Sequence, residues 1–423
     1  MISLSFMDSS AARCRRAWLF SVSFVAFTAS GCSEPEPDLD ALPNLVAAKQ
    51  FDEVEKRLAQ QLRVHPDDDS ARILLAQISL AKPDSNPEQA LKALEGVQTK
   101  QPSALAIVLL NRGKAYSNLH DYEQAERCWR EALKADPKVP EAGWALIGLF
   151  YVQGRRVEAQ ALALKLHETE PDPRDRVQFL LELIRQDAMP LEPASVAANL
   201  EAGVKLHPQD LKTTIALARN LIKGSAFDRG LTLLRQATRD HPANPDAWEG
   251  LLNGLDAAGK YDEFAKTLAS LPATLKASPR FARHIGRDAQ EKHRWDQAAD
   301  AYRTAWKQGA RDPELTYRLS RALRLSNRTE EADRFERKAQ GMEAAKETIL
   351  DLYQEANVKI GREFNPSTDH LHVYQRLADH CEQRGLLGQA LAWHRLVLKE
   401  RPGDPISGEA AQRIAEELRQ EST

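Results

Sequence analysis

Aromatic residues and cysteines are scarce in this chain of 423 residues, and its net charge is small. Phe, Trp and Tyr make up 6% of it, while Ala and Leu are abundant, which favours helices over sheets. Four cysteines in a chain of this length exclude a disulfide-stapled scaffold. A net charge of -3 lacks the strongly basic character of a general nucleic-acid binder, so we expect no nucleic-acid partner.

The apolar run near the N-terminus is too short to cross a membrane. It covers thirteen residues, 17–29, whereas a spanning helix needs roughly 20. Three arginines precede this run and the small residues Ala29-Ser30-Gly31 end it, which is typical of a secretory signal. We therefore predict a signal peptide at 1–31 and an exported protein.

Cys32 follows these small residues directly and resembles the lipidated cysteine of the bacterial lipoprotein lipobox. Ala29 stands where that motif prefers Leu, so an ordinary signal peptide with an incidental Cys32 stays open as the alternative. The resemblance implies lipidation of Cys32, a polar tether at 32–38 and a lipid anchor in the cell envelope. Ser33 in place of Asp favours, by the same resemblance, the periplasmic side of the outer membrane.

A pattern of about thirty-four residues repeats along the body of the chain. Its clearest copy, 106–139, contains two helical stretches with small or aromatic residues at i, i+4 and i+7 spacing. The residues that carry the pattern are Gly113, Tyr116, Ala125, Trp129, Ala132 and Pro137. This unit strongly resembles the tetratricopeptide repeat, a pair of antiparallel helices that pack closely at the small positions.

About ten such units follow one another, with steps of thirty-four residues between equivalent positions from Gly230 to Ala332. The resemblance implies an all-α, right-handed superhelical solenoid of helix-turn-helix repeats, a scaffold without catalytic residues. Because a repeat in such an array touches only its neighbours, Cys128 and Cys381 should remain two free structural thiols.

The spacing breaks after Ala332, where the next equivalent position, Ala390, is 58 residues away. Either one unit has decayed to a single helix, or a helix is extended before a hinge loop at 361–369. The predicted organisation is a signal peptide (1–31), a lipidated tether (32–38), an array of about nine repeats (39–346), an irregular helix and hinge (347–370), a final repeat (371–404) and a capping helix (405–423).

Arginines are concentrated on the first helices of two successive repeats, which in this family line the concave surface. The candidate binding residues are Arg280, Arg283, His284 and Arg287 in one repeat and Tyr317, Arg318, Arg321 and Arg324 in the next. Two basic helix faces favour an anionic ligand, most simply an acidic peptide segment or a C-terminal carboxylate. The alternative is that these arginines pair with Glu314, Asp288 and Glu291 on a solvated face.

A second candidate surface is aromatic. Trp144 and Tyr151 lie seven residues apart on one predicted helix, with Gly148 between them, and such a pair can admit a peptide side chain. In the alternative, Trp144 packs against the neighbouring repeat.

Histidines at 370, 372 and 380 cluster near Cys381, but a helix would hold His372 and His380 some 12 Å apart, too far for one metal ion. We therefore expect no metal, no cofactor and no catalytic residues. The predicted function is a membrane-anchored scaffold that binds partner proteins or acidic peptides. Two alternatives stay open: an enzyme-associated or metal-dependent envelope protein using 343–381, and a polysaccharide or cell-wall binding module.

Overall fold

The computed structural model describes residues 39–359 and 370–421, and this part of the chain is helical throughout. Its α-helices are α1 (Leu42–Ala47), α2 (Phe51–Val64), α3 (Asp69–Ala81), α4 (Pro87–Glu95), α5 (Pro102–Asn118), α6 (Tyr122–Ala135), α7 (Pro140–Val152), α8 (Arg156–Thr169), α9 (Pro173–Ala188), α10 (Pro193–Leu206), α11 (Leu211–Lys223), α12 (Phe227–Asp240), α13 (Pro245–Ala257), α14 (Tyr261–Ala269), α15 (Ala273–Lys276), α16 (Ala282–Glu291), α17 (Trp295–Lys307), α18 (Pro313–Leu325), α19 (Thr329–Lys359), α20 (Leu371–Gln383), α21 (Leu387–Glu400) and α22 (Pro405–Glu421). A short 3-10 helix, Pro279–Phe281, precedes α16. The predicted all-α array of consecutive helix pairs is confirmed.

Local sequence signals set the helix boundaries. Proline occupies the first turn of many helices, where its missing N–H costs no hydrogen bond. Three of the turns contain a glycine in the left-handed region, with φ of 67° at Gly154, 67° at Gly259 and 71° at Gly385. These turns reverse the chain between the two helices of a pair.

The helices α5 and α6 approach each other closely at Gly113. A Cβ atom at Gly113 would lie 2.3 Å from Nε1 of Trp129, so only glycine fits there. The indole of Trp129 is buried and donates a hydrogen bond of 3.2 Å to the carbonyl oxygen of Leu110. The predicted role of Gly113 as a close-packing position is therefore confirmed.

The break in the repeat spacing is an extended helix. α19 continues unbroken for 31 residues, from Thr329 to Lys359. The predicted hinge at 361–369 lies outside the described residues.

By their internal packing, the helices divide into two compact units, one with residues to 159 and 194–217, the other with 160–193 and 218 onward. In the second unit, α9 packs on α19 through an apolar stripe. Val177, Leu180 and Ile184 join the core formed by Ile349 and Leu352. The expectation that each repeat touches only its neighbours is therefore wrong for α9, because its apolar stripe and that of the α19 extension bury each other.

The first unit also contains a contact between helices distant in sequence. Lys212 of α11 donates a hydrogen bond of 3.1 Å to Glu126 of α6, and Tyr122 donates one of 3.3 Å to the carbonyl oxygen of Asn199. Cys128 in this unit and Cys381 in the other are buried free thiols, and burial raises the pKa of both.

Candidate partner-binding site

The predicted basic residues lie on the 3-10 helix, α16 and α18, three elements with well-defined starts. Ser278 caps the 3-10 helix, and Asp312 caps α18 by accepting a hydrogen bond of 2.9 Å from the backbone N–H of Leu315. Pro313 then occupies the first position of α18. These caps fix where the helices begin and hence which side chains share an exposed face.

Arg280 and Arg283 are matched by carboxylates of neighbouring helices. Arg280 donates to Asp246 and to Glu249 of α13, each at 2.5 Å. Arg283 donates to the capping carboxylate of Asp312 at 2.6 Å and to Glu314 at 3.1 Å. Because these pairs are solvated, each contributes about 0–1 kcal/mol, and a ligand carboxylate can replace the protein's own.

Arg287 and Arg318 converge on one carboxylate and are far less accessible. Asp256 of α13 accepts from Nε of Arg287 at 2.7 Å and from Arg318 at 3.2 Å. Arg287 is 5% exposed, pairs also with Glu291, and stacks on the ring of Tyr261 at 4.3 Å. Burial alone would lower the pKa of Arg287, but the two carboxylates outweigh it and raise the pKa.

His284 is part of the helix packing. Its ring is 4% exposed, with Nε2 2.9 Å from Oδ1 of Asn253, and it lies between Phe264 and Phe281. Burial lowers the pKa of His284 to about 4, so the ring is neutral at pH 7. A neutral ring inside the packing adds no positive charge to the surface.

The exposed face of α18 differs from that of α16. Tyr317 is 56% exposed, and Arg321 is exposed without an ion pair among the described residues. Arg324, one turn further, pairs with Asp333 at 2.8 Å and with Glu336. Arg321 is therefore the predicted arginine whose charge the described helices leave unmatched.

The structure brings together carboxylates that the sequence analysis did not assign. Of the three expected acidic partners, Glu314 and Glu291 do pair with the arginines, whereas Asp288 pairs with Lys292. The missed carboxylates are Asp246, Glu249, Asp256 and Asp312. A signal for them exists in the sequence, because Asp246 lies 34 residues before Arg280, one repeat length, so opposite charges occupy equivalent positions in adjacent repeats.

The aromatic pair lies on α7 in the first unit. Trp144 and Tyr151 are both half-buried. A Cβ atom at Gly148 between them would have no neighbour within 4 Å, which leaves open space beside the two rings.

The histidines near Cys381 lie in three different environments. His370 lies 2.9 Å from Glu400, and the thiol of Cys381 donates to Gln389 at 3.8 Å. His380 is buried, which lowers its pKa to about 4, and His372 is exposed. Within 39–359 and 370–421, no three His, Cys, Asp or Glu side chains are grouped so that they could hold a metal ion.

The predicted lipidation site, Cys32, lies outside the described residues. Within those residues, every helix is too short or too polar to cross a membrane.

Three segments of the chain match models of the tetratricopeptide repeat: 106–139, 215–279 and 285–345. These three segments of the chain are similar to tetratricopeptide repeats. Such repeats are typically non-catalytic scaffolds for protein–protein interaction, and no enzyme family model matches. Repeats of this kind generally bind other proteins.

One relative is the cellulose synthase operon protein C of Pseudomonas fluorescens (strain SBW25), 30% identical over 125 residues. The match covers 28% of this chain and 10% of that protein, so the chain spans about a tenth of the relative's length.

Among solved structures, the chain is similar to the Cut9-Hcn1 hetero-tetramer of the APC/C (14% identity, TM-score 0.32, 88% of each chain covered). It is also similar to Pseudomonas aeruginosa pilF (18% identity, TM-score 0.25, 53% of this chain and 96% of that chain covered). At these values the likeness carries no argument about function.

Proposed function

We propose that this protein is an envelope scaffold, anchored to a bacterial membrane through a lipid on Cys32, that gathers partner proteins on the exposed faces of its repeat helices. The observation that carries the proposal is the combination of tetratricopeptide repeats with an unmatched arginine on α18. Repeats supply a rigid row of helices, and the arginine supplies a point of attraction for a carboxylate.

The membrane anchor rests on the sequence around Cys32. A basic segment, a thirteen-residue apolar run and small residues before Cys32 support export and lipidation, and Ser33 supports the outer membrane. Labelling cells with a fatty-acid probe tests this directly, since Cys32→Ala should abolish lipid incorporation. Incorporation that persists in this variant would contradict the anchor.

In-cell crosslinking followed by affinity capture tests the scaffold role. We expect one or a few envelope proteins to be retained specifically by the wild-type chain. The similarity to a cellulose synthase operon protein makes components of polysaccharide synthesis the first partners to look for. If no protein is retained above a control that lacks the bait, the scaffold role is wrong.

A further inference from the structure

Tyr317, Arg321 and Leu325 form one exposed stripe along α18. Residues four apart in an α-helix are offset by about 40° and rise about 6 Å, so the three side chains lie almost in line. Tyr317 is 56% exposed, Leu325 is 45% exposed, and Arg321 between them is exposed as well. The stripe thus presents an apolar, a cationic and a second apolar group at equal intervals.

The opposite face of α18 is buried, so the stripe is the face that remains for a ligand. Leu315 and Leu319 on that face are 0% exposed, and the buried hydroxyl of Thr316 lies 3.5 Å from the sulfur of Met342 in α19. Because this packing fixes the position of α18, the backbone that carries the stripe loses little conformational entropy when a ligand binds.

The charge of the stripe distinguishes it from the neighbouring arginines. Arg318 pairs with Glu314 at 2.6 Å and with Asp256, and Arg324 pairs with Asp333 and Glu336. Arg321 has no such partner among the described residues. A ligand carboxylate at Arg321 therefore displaces water alone, whereas at the other positions it must also displace a protein carboxylate.

The spacing of the stripe matches an extended peptide. Alternate side chains of an extended strand lie on one face about 6.6 Å apart, close to the 6 Å rise between successive stripe residues. A peptide with apolar side chains at positions 1 and 5 and a carboxylate at position 3 therefore meets all three stripe residues in register. Tyrosine and arginine are the side chains most enriched among binding hot spots.

We propose that α18 binds an extended partner segment with the pattern apolar–x–acidic–x–apolar, whose central carboxylate pairs with Arg321 while its apolar side chains pack on Tyr317 and Leu325. This inference rests on the proposed scaffold function and names the chemistry of the segment that the scaffold recognises.

A random dodecapeptide library displayed on phage tests the inference against the purified mature protein. We expect enrichment of the alternating apolar–x–acidic–x–apolar pattern. The same selection on Arg321→Glu should enrich Lys or Arg at the central position, because the charge at the middle of the stripe is reversed. A fluorescein-labelled synthetic version of the most enriched peptide then gives the dissociation constant by anisotropy.

Matched variants locate the binding. Arg321→Glu and Tyr317→Ala should each raise the dissociation constant of the synthetic peptide by at least about tenfold, as expected for hot-spot residues. Arg334→Glu reverses an exposed arginine of α19 off the stripe and should change affinity by less than about twofold. All three positions are exposed, so circular dichroism should show unchanged helicity.

The inference is overturned if no peptide is enriched, if the enriched peptides lack the alternating acidic pattern, or if Arg321→Glu and Arg334→Glu have equal effects. One result distinguishes failure of the peptide-binding stripe from failure of the scaffold role. Partners that are captured in cells equally well by wild type and by Arg321→Glu leave the scaffold role intact and defeat the stripe alone.

Discussion

Asp256 joins two arginines of different helices into one partly buried network. Its carboxylate accepts from Arg287 of α16 and from Arg318 of α18, and the guanidinium of Arg287 is almost inaccessible to solvent. A buried charge is costly when its partner is removed, because neither water nor a counter-ion can replace it. We therefore regard Arg287 and Arg318 as structural and Arg321 as the residue available to a ligand.

This distinction predicts different effects on stability for two acidic residues. Asp256→Asn should lower the free energy of unfolding by about 2 kcal/mol, since Arg287 loses one of its two carboxylates. Glu314→Gln removes a solvated pair and should cost less than about 0.5 kcal/mol. Urea unfolding followed by circular dichroism measures both. Equal losses for the two variants would show that Asp256 is not the anchor of the network.

Because burial lowers the pKa of two histidines, we expect the folded protein to become less stable as the pH falls. The pKa of His284 is lowered to about 4 by burial, against about 6.5 in an unfolded chain. The contribution of the neutral His284 ring to the free energy of unfolding is therefore fully present above pH 6.5 and is lost as the pH falls from 6.5 towards 4. Between pH 7.5 and 5 the loss should be about 2 kcal/mol for His284, and burial of His380 adds to it in the same direction.

Unfolding experiments at pH 7.5, 6 and 5 check this expectation. His284→Gln, which cannot become charged, should have a shallower pH dependence than the wild type. His372→Gln replaces an exposed histidine and should retain the wild-type slope. A slope that is unchanged in His284→Gln would contradict the burial of a neutral ring.

At the scale of the element, two helix glycines have opposite expected effects. Gly113→Ala places a Cβ 2.3 Å from the indole of Trp129 and should destabilise the protein by about 1–3 kcal/mol through overpacking. Gly148→Ala meets no atom within 4 Å and should stabilise α7 by about 0.5–1 kcal/mol, because alanine is the better helix former.

Thermal unfolding of the two variants beside the wild type provides the comparison. Each variant is the other's control, since both add one methyl group to a helix of the first unit. A destabilised Gly148→Ala would mean that the open space beside Trp144 and Tyr151 is occupied.

The sequence predicts the helix pairs well because their determinants are local. Proline at the first helical turn, glycine in the left-handed turns and small residues such as Gly113 all act within one repeat. The contact between α9 and α19 could not be predicted in this way, because the apolar stripes at 177–184 and 349–356 indicate burial but not the helix against which each packs. Matching two such stripes far apart in sequence requires the three-dimensional arrangement.

The sequence predicted the arginines of the candidate site but not the carboxylates that neutralise most of them. Arginine spacing indicated a basic surface on α16 and α18, yet the structure places a carboxylate beside Arg280, Arg283, Arg287, Arg318 and Arg324. Ion pairs between adjacent repeats depend on which faces meet, which a single repeat does not specify. Of the predicted arginines, Arg321 is the one that is exposed and has no ion-pair partner among the described residues.

Across the described part of the chain, pairs of helices follow one another, and we propose that they serve to bind other proteins. Tetratricopeptide repeats match three separate segments, and the described helices carry an exposed stripe with an unmatched positive charge. We propose that binding of a partner at Tyr317, Arg321 and Leu325 connects this architecture to a function.

Site-specific photo-crosslinking in living cells tests that claim most directly. A photoreactive phenylalanine analogue is placed at Tyr317 or, as the control, at Val157, which is 78% exposed and lies in the first unit. We expect a discrete crosslinked partner at position 317, lost when Arg321→Glu is added, and no such adduct at 157. Absence of an adduct at 317, or an adduct that persists with Arg321→Glu, would contradict it.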